Sequence, residues 1–136
     1  MAARRKKTQQ SLIYEEAQDV HERVKYLLTV IEAPWIDSMR IYCFRTYHSS
    51  ARAYARIRGL DRIWQMAIAQ RPAYSIEVIS EYFDKLSPQR KDEVLLHELC
   101  HIPQTFSGAL LPHTHKGKGS FHGKLRQLLT AYKRAI

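Results

Sequence analysis

The chain has 136 residues, 45% of them hydrophobic, long enough and apolar enough to bury a core of its own. Its 22 Lys and Arg against 13 Asp and Glu give a net charge of +9, a balance that suits phosphate-rich or acidic partners without naming one. Two cysteines, Cys43 and Cys100, with no CxxC pair, exclude a disulfide framework and a four-cysteine zinc site, and no stretch is apolar enough for a secretory leader or a membrane span. A cytoplasmic protein is expected.

Residues 1–11 are polar and carry Arg4, Arg5, Lys6 and Lys7, which predicts a disordered basic tail ahead of a single domain over 12–136. From Leu12 to Ile31 apolar residues recur at Ile13, Ala17, Val20, Val24, Leu27, Leu28 and Ile31, the three-and-four spacing of an amphipathic helix that Pro34 ends. Met39 to Tyr47 reads as a strand, and Ala53 to Ile57 as a strand or an irregular arm. After a turn at Gly59 to Asp61, Ile63 to Ala69 reads as a further strand; Arg71-Pro72 breaks it, and Tyr74 to Ser80 follows as another. Ser87-Pro88 is an N-cap with proline in the first turn, Pro103 is a stop, and a helix is expected from about Pro88 to His101. Residues 103–120, with Gly108, Pro112, Gly117 and Gly119, read as a loop, and Lys124 to Ala135 as a closing helix with Leu125, Leu128, Leu129 and Tyr132 on one face. Tyr74 to Ser80, just before the second helix, is the candidate edge strand for pairing with an extended substrate.

Within the Pro88 to His101 helix lies His97-Glu98-Leu99-Cys100-His101, an HExxH pattern. Two imidazoles four positions apart stand one turn above each other on one face and can reach a single metal ion. Glu98 lies about 100° around the helix from His97. There a carboxylate can take a proton from a metal-bound water without competing as a ligand. Leu95, Leu96, Leu99 and Cys100 fill a separate arc that can face a core. The plainer alternative is an amphipathic helix whose two histidines and glutamate are solvated.

A catalytic zinc takes three protein ligands and leaves a fourth position open, so one more donor is needed downstream. The candidates are His113 and His115 in the loop and His122 at the start of the last helix. His122 is preferred, because a residue at a helix start is held by a rigid element; a loop histidine could instead bond a developing oxyanion or be solvated. His21 and His48 lie far upstream and receive no role.

Further strings extend the pattern: Ala55-Arg56 with Gly59-Leu60, Pro72 to Glu77, Phe83 to Ser87, and His97 to Pro103 running into Phe106-Ser107-Gly108-Ala109-Leu110 and Pro112-His113. Over about residues 40–135 they resemble the phage-type metallopeptidase family, small HExxH proteins of prokaryotes and their viruses. More distantly, the chain is similar to SprT-like zinc proteases, whose third ligand belongs to a His-Gly pair opening a helix, as His122-Gly123 does here. That likeness implies His97, His101 and His122 as zinc ligands and Glu98 as general base. Those proteases usually carry an aromatic residue where this chain has Arg126, which keeps His113 in play.

The expected fold is α+β and zincin-like: an N-terminal helix, a small, mostly antiparallel sheet of three to four strands, the HExxH helix, a glycine-rich loop and a C-terminal helix. The expected function is zinc-dependent hydrolysis of peptide bonds in a protein or peptide substrate. Two alternatives stand beside it. One is a non-catalytic, zinc-stabilised module binding nucleic acid through the tail and Arg52, Arg56, Arg58 and Arg62. The other is a zinc hydrolase of a non-peptide substrate.

Overall fold

A computed structural model describes residues 11–114, 116 and 120–136, so the tail expected over 1–11 falls outside the described residues except for Ser11, as does His115. The architecture is α+β. A four-stranded sheet in the order β1-β2-β4-β3 is built from β1 (Ile13–Glu16), β2 (Ile41–Tyr47), β3 (Ala55–Gly59) and β4 (Tyr74–Ile79). The sheet is mixed: β1 pairs with β2 and β3 with β4 antiparallel, while β2 and β4 run parallel.

Helices α1 (Gln18–Val30), α4 (Pro88–Cys100) and α5 (Phe121–Ala135) cover one face of this sheet, with the short helices α2 (Arg62–Ala67) and α3 (Ser80–Phe83) between strands and helices. Strand alternation sends Ile41, Cys43, Tyr74, Ile76 and Val78 into the core beneath them. The helices answer with Val20, Val24 and Leu27 from α1, Leu95, Leu96, Leu99 and Cys100 from α4, and Phe121, Leu128 and Tyr132 from α5. A buried polar knot ties all three helices: Asp92 on α4, 2% exposed, accepts from Arg23 Nε at 2.6 Å on α1 and from the Tyr132 hydroxyl at 2.6 Å on α5.

Three expectations are corrected. Ile13–Glu16, expected as the first turn of a helix, pairs with β2 instead, and the helix begins at Gln18. The spacing of Ile13 and Ala17 fits either structure, and pairing along the free edge of β2 decides between them. The expected strand from Ile63 is helix α2, because the Asp61 side chain caps it by accepting from the Trp64 amide at 2.9 Å. Its Ile63, Trp64 and Met66 stay exposed, so the apolar run does not report burial. Finally, β4 lies inside the sheet between β2 and β3, and the free edge facing α4 is β3.

Candidate metal centre

Helix α4 starts as its sequence dictates: Pro88 occupies the first turn, and the Ser87 hydroxyl accepts from the Arg90 amide. The helix buries Leu95, Leu96, Leu99 and Cys100 and turns His97, Glu98 and His101 toward the loop that follows. That loop is fastened at several points. The Tyr74 hydroxyl accepts from the Gly108 amide and donates to the Ala109 carbonyl, each at 2.8 Å, and Gln65 Nε2 donates to the Ser107 carbonyl at 2.9 Å. The Leu111 amide donates to the His101 carbonyl at 2.8 Å.

The closest approach is between two glycines. A Cβ on Gly59 would stand 1.8 Å from the Gly108 carbonyl oxygen, and Gly108 itself has a φ of +94°. Only residues without side chains let β3 and the loop meet so tightly. The loop is thereby held over α4 and delivers His113.

The ligand-capable atoms of His97, His101 and His113 all lie within 4.8 Å of one another. His97 Nε2 approaches His113 Nε2 to 2.9 Å, and the His101 ring Nδ1 donates to the Leu111 carbonyl, which leaves its Nε2 as a free lone pair. Phe121, fully buried, packs against all three rings at centroid separations of 4.5 to 5.2 Å. Its place was not anticipated, although it is the residue beside the histidine that was.

Burial, reinforced by the neighbouring His101, His113 and His122, pushes the His97 imidazole down to about 4, and burial also lowers His101. Both are therefore neutral, the state a metal ligand needs. Glu98 is 7% exposed and its Oε2 has no hydrogen-bond partner; burial raises its carboxyl to about 7. A cluster of three imidazoles beside an unpartnered buried carboxyl oxygen is the donor chemistry of a divalent-metal site, and these residues fit one.

His122 opens α5 behind the Ser120 cap, but it is exposed. It lies near enough to His97 to help lower that imidazole, but its ring is not among those whose ligand atoms meet within 4.8 Å. The group that the fold brings together is His97, His101 and His113. His21 donates to the Ser38 carbonyl and lies outside the centre, and His48 is not among the residues that meet there.

The cluster opens into a hollow of about 420 Å3. Residues Ala53, Tyr54 and Ala55, leading into β3, form one wall; Arg90, Glu93 and Val94 of α4 form the other. β3 is an edge strand here, so its outer backbone groups are not used by the sheet. No helix among the described residues is long and apolar enough to cross a membrane.

An α+β fold in which a helix and the loop after it bring three histidines together beneath a free strand edge defines a class, a small protein with a cleft that could hold a metal ion. Residues 12–128 match the family described as "Putative phage metallopeptidase", and the chain belongs to that family. No curated protein and no solved structure matches it. Membership points to a metal-dependent peptidase.

Proposed function

We propose that the protein is a zinc-dependent metallopeptidase in which His97, His101 and His113 hold the ion and Glu98 is the general base. The observation that carries this is the meeting of three imidazole donor sets within 4.8 Å beside the unpartnered Glu98 carboxylate. Three histidines match the ligand set of a catalytic zinc, which keeps one position open. Such an ion supplies Lewis acidity, acidifying water toward about 7 and polarising a carbonyl.

The chain's own groups do the rest. Glu98, with a carboxyl raised to about 7, takes a proton from the attacking water and returns it to the leaving amine. The Leu111 carbonyl fixes the orientation of the His101 ring. An extended peptide pairs with the free edge of β3, which brings its scissile bond along the wall made by Tyr54 and Ala55 to Glu98. A cytoplasmic setting suits the unpaired, buried thiols of Cys43 and Cys100.

Metal content of the purified protein tests the ligand set. Wild type and His122→Ala are expected to retain zinc, and His113→Ala to lose most of it. Retention by His113→Ala with loss by His122→Ala would return the third position to the helix start.

A further inference from the structure

The sheet face turned away from α1, α4 and α5 takes no part in the metal centre. Strand alternation places Tyr42 and Phe44 of β2, Ser75 and Glu77 of β4, and Arg56 and Arg58 of β3 on it, with Tyr14 of β1 opposite Thr46. Tyr14 is 58% exposed and Tyr42 47%, unusual for large aromatic rings on a sheet whose other face is fully packed. Two hollows open between these side chains. One, about 450 Å3, is bordered by Arg40, Tyr42, Arg58 and Ser75; the other, about 190 Å3, by Tyr14, Phe44, Arg58 and Ser75. Both are lined by Arg58 and Ser75, so they lie side by side on this face.

The charge on this face is positive and fixed in place. A single carboxylate, Glu77, 3% exposed, accepts from Arg56 Nε at 2.9 Å and from Arg58 Nη1 at 2.7 Å, so one negative charge anchors two guanidinium groups. Arg40 bonds only neutral oxygens, those of the Arg71 and Pro72 carbonyls and the Tyr42 hydroxyl. Among the described strand residues of this face the other acid is Glu16, paired opposite Phe44 at the β1 margin. Three arginines against two carboxylates leave the face positive, in keeping with the net +9 of the chain.

We propose that this face binds single-stranded nucleic acid, its bases stacking on Tyr42 and Phe44 and its phosphates following Arg40, Arg56 and Arg58. Tyr42 and Phe44 are two positions apart on one strand and therefore about 7 Å apart, near enough to receive neighbouring bases. A sheet face that sets the exposed Tyr42 ring and the half-buried Phe44 ring beside guanidinium groups offers stacking and phosphate contacts together. Rings set on such a face require unstacked bases, which a duplex does not present. Aromatic stacking also separates this ligand from an acidic peptide, for which the arginines alone would serve. β3 contributes to both surfaces, with Ala55 on the wall of the metal cleft and Arg56 and Arg58 on this face.

The test is fluorescence anisotropy of a labelled oligothymidylate with the full chain, titrated with salt. Wild type is expected to bind, and Tyr42→Ala to bind at least about 5-fold more weakly, the smallest effect of losing one stacked base. Tyr42→Phe keeps the ring and loses only the bond from Arg40 to the hydroxyl, so it should bind more tightly than Tyr42→Ala. Tyr42 is half exposed, so thermal melting of both variants should stay at the wild-type midpoint. Arg58→Ala should reduce the slope of log affinity against log salt by about 0.7. Three outcomes overturn the proposal: no binding at low salt, equal binding of a duplex of the same length, or binding unchanged in Tyr42→Ala and Phe44→Ala, which would assign affinity to charge elsewhere in the chain.

Discussion

Glu77 at the centre of the sheet and Glu98 at the floor of the cleft are almost equally hidden, at 3% and 7% exposure, yet they titrate in opposite directions. Burial pushes both upward. At Glu77 that push is outweighed by hydrogen bonds from Arg56, Thr46 and Arg58, which hold the carboxyl down to about 2. At Glu98 no donor opposes it, one oxygen is left unpartnered, and the carboxyl rises to about 7. Partners, not depth, decide which carboxylate is a structural anchor and which is available for proton transfer.

The largest expected effect breaks the Glu98 side of this comparison. Glu98→Gln keeps the volume but cannot accept a proton, so peptide hydrolysis should fall by at least about 100-fold while zinc content stays at the wild-type level. In the metal-free protein the same change removes a buried, unpartnered carboxylate, so the urea midpoint should not fall. Full turnover in Glu98→Gln would strip that residue of the role of base. A lowered midpoint would show that its carboxylate has a partner after all.

The support of the site can be broken separately. Gly59→Ala places a Cβ 1.8 Å from the Gly108 carbonyl, a backbone atom that cannot swing aside. The strand and the loop must part, at a cost of about 3 kcal/mol. Because the loop carries His113, zinc affinity should fall with stability, whereas the Arg56–Glu77 pair, three residues before Gly59 on β3, should keep its bonds. Wild-type zinc affinity in this variant would mean that His113 is not positioned by the glycine contact.

What could be read from the sequence follows the range of the interactions responsible. Helix α4 was legible almost to the residue because its signals are local: Ser87 caps, Pro88 starts, and the apolar arc of Leu95, Leu96, Leu99 and Cys100 declares the buried side. The identity of β4 as a strand was legible for the same reason. Its position inside the sheet was not, since order depends on β3 crossing to its outer side, which no local pattern records. The meeting of His113 with His97 and His101 was likewise not legible. A helix start looks more rigid than a loop, but this loop is pinned by Tyr74, Gln65 and Gly59, which lie about 30 to 50 positions upstream of it. The glycines were visible as turn signals; their contact with each other was not.

The smallest effect sharpens the comparison from the Glu77 side. A group whose folded pKa is depressed contributes stability that is complete above its unfolded value, here the ordinary 4.5, and that is lost as the pH falls toward about 2. Its partners Arg56 and Arg58 are 41% and 55% exposed, so solvent weakens the pairing and the contribution at neutral pH is about 1–2 kcal/mol. Glu77→Gln should therefore be less stable than wild type by that amount at pH 7, read from urea unfolding. The gap should narrow between pH 4.5 and 2, because only the wild type has a charge to lose there. A gap that stays constant over that range would mean that shape and neutral hydrogen bonding hold the two arginines. The contrast with Glu98 would then rest on geometry and not on charge.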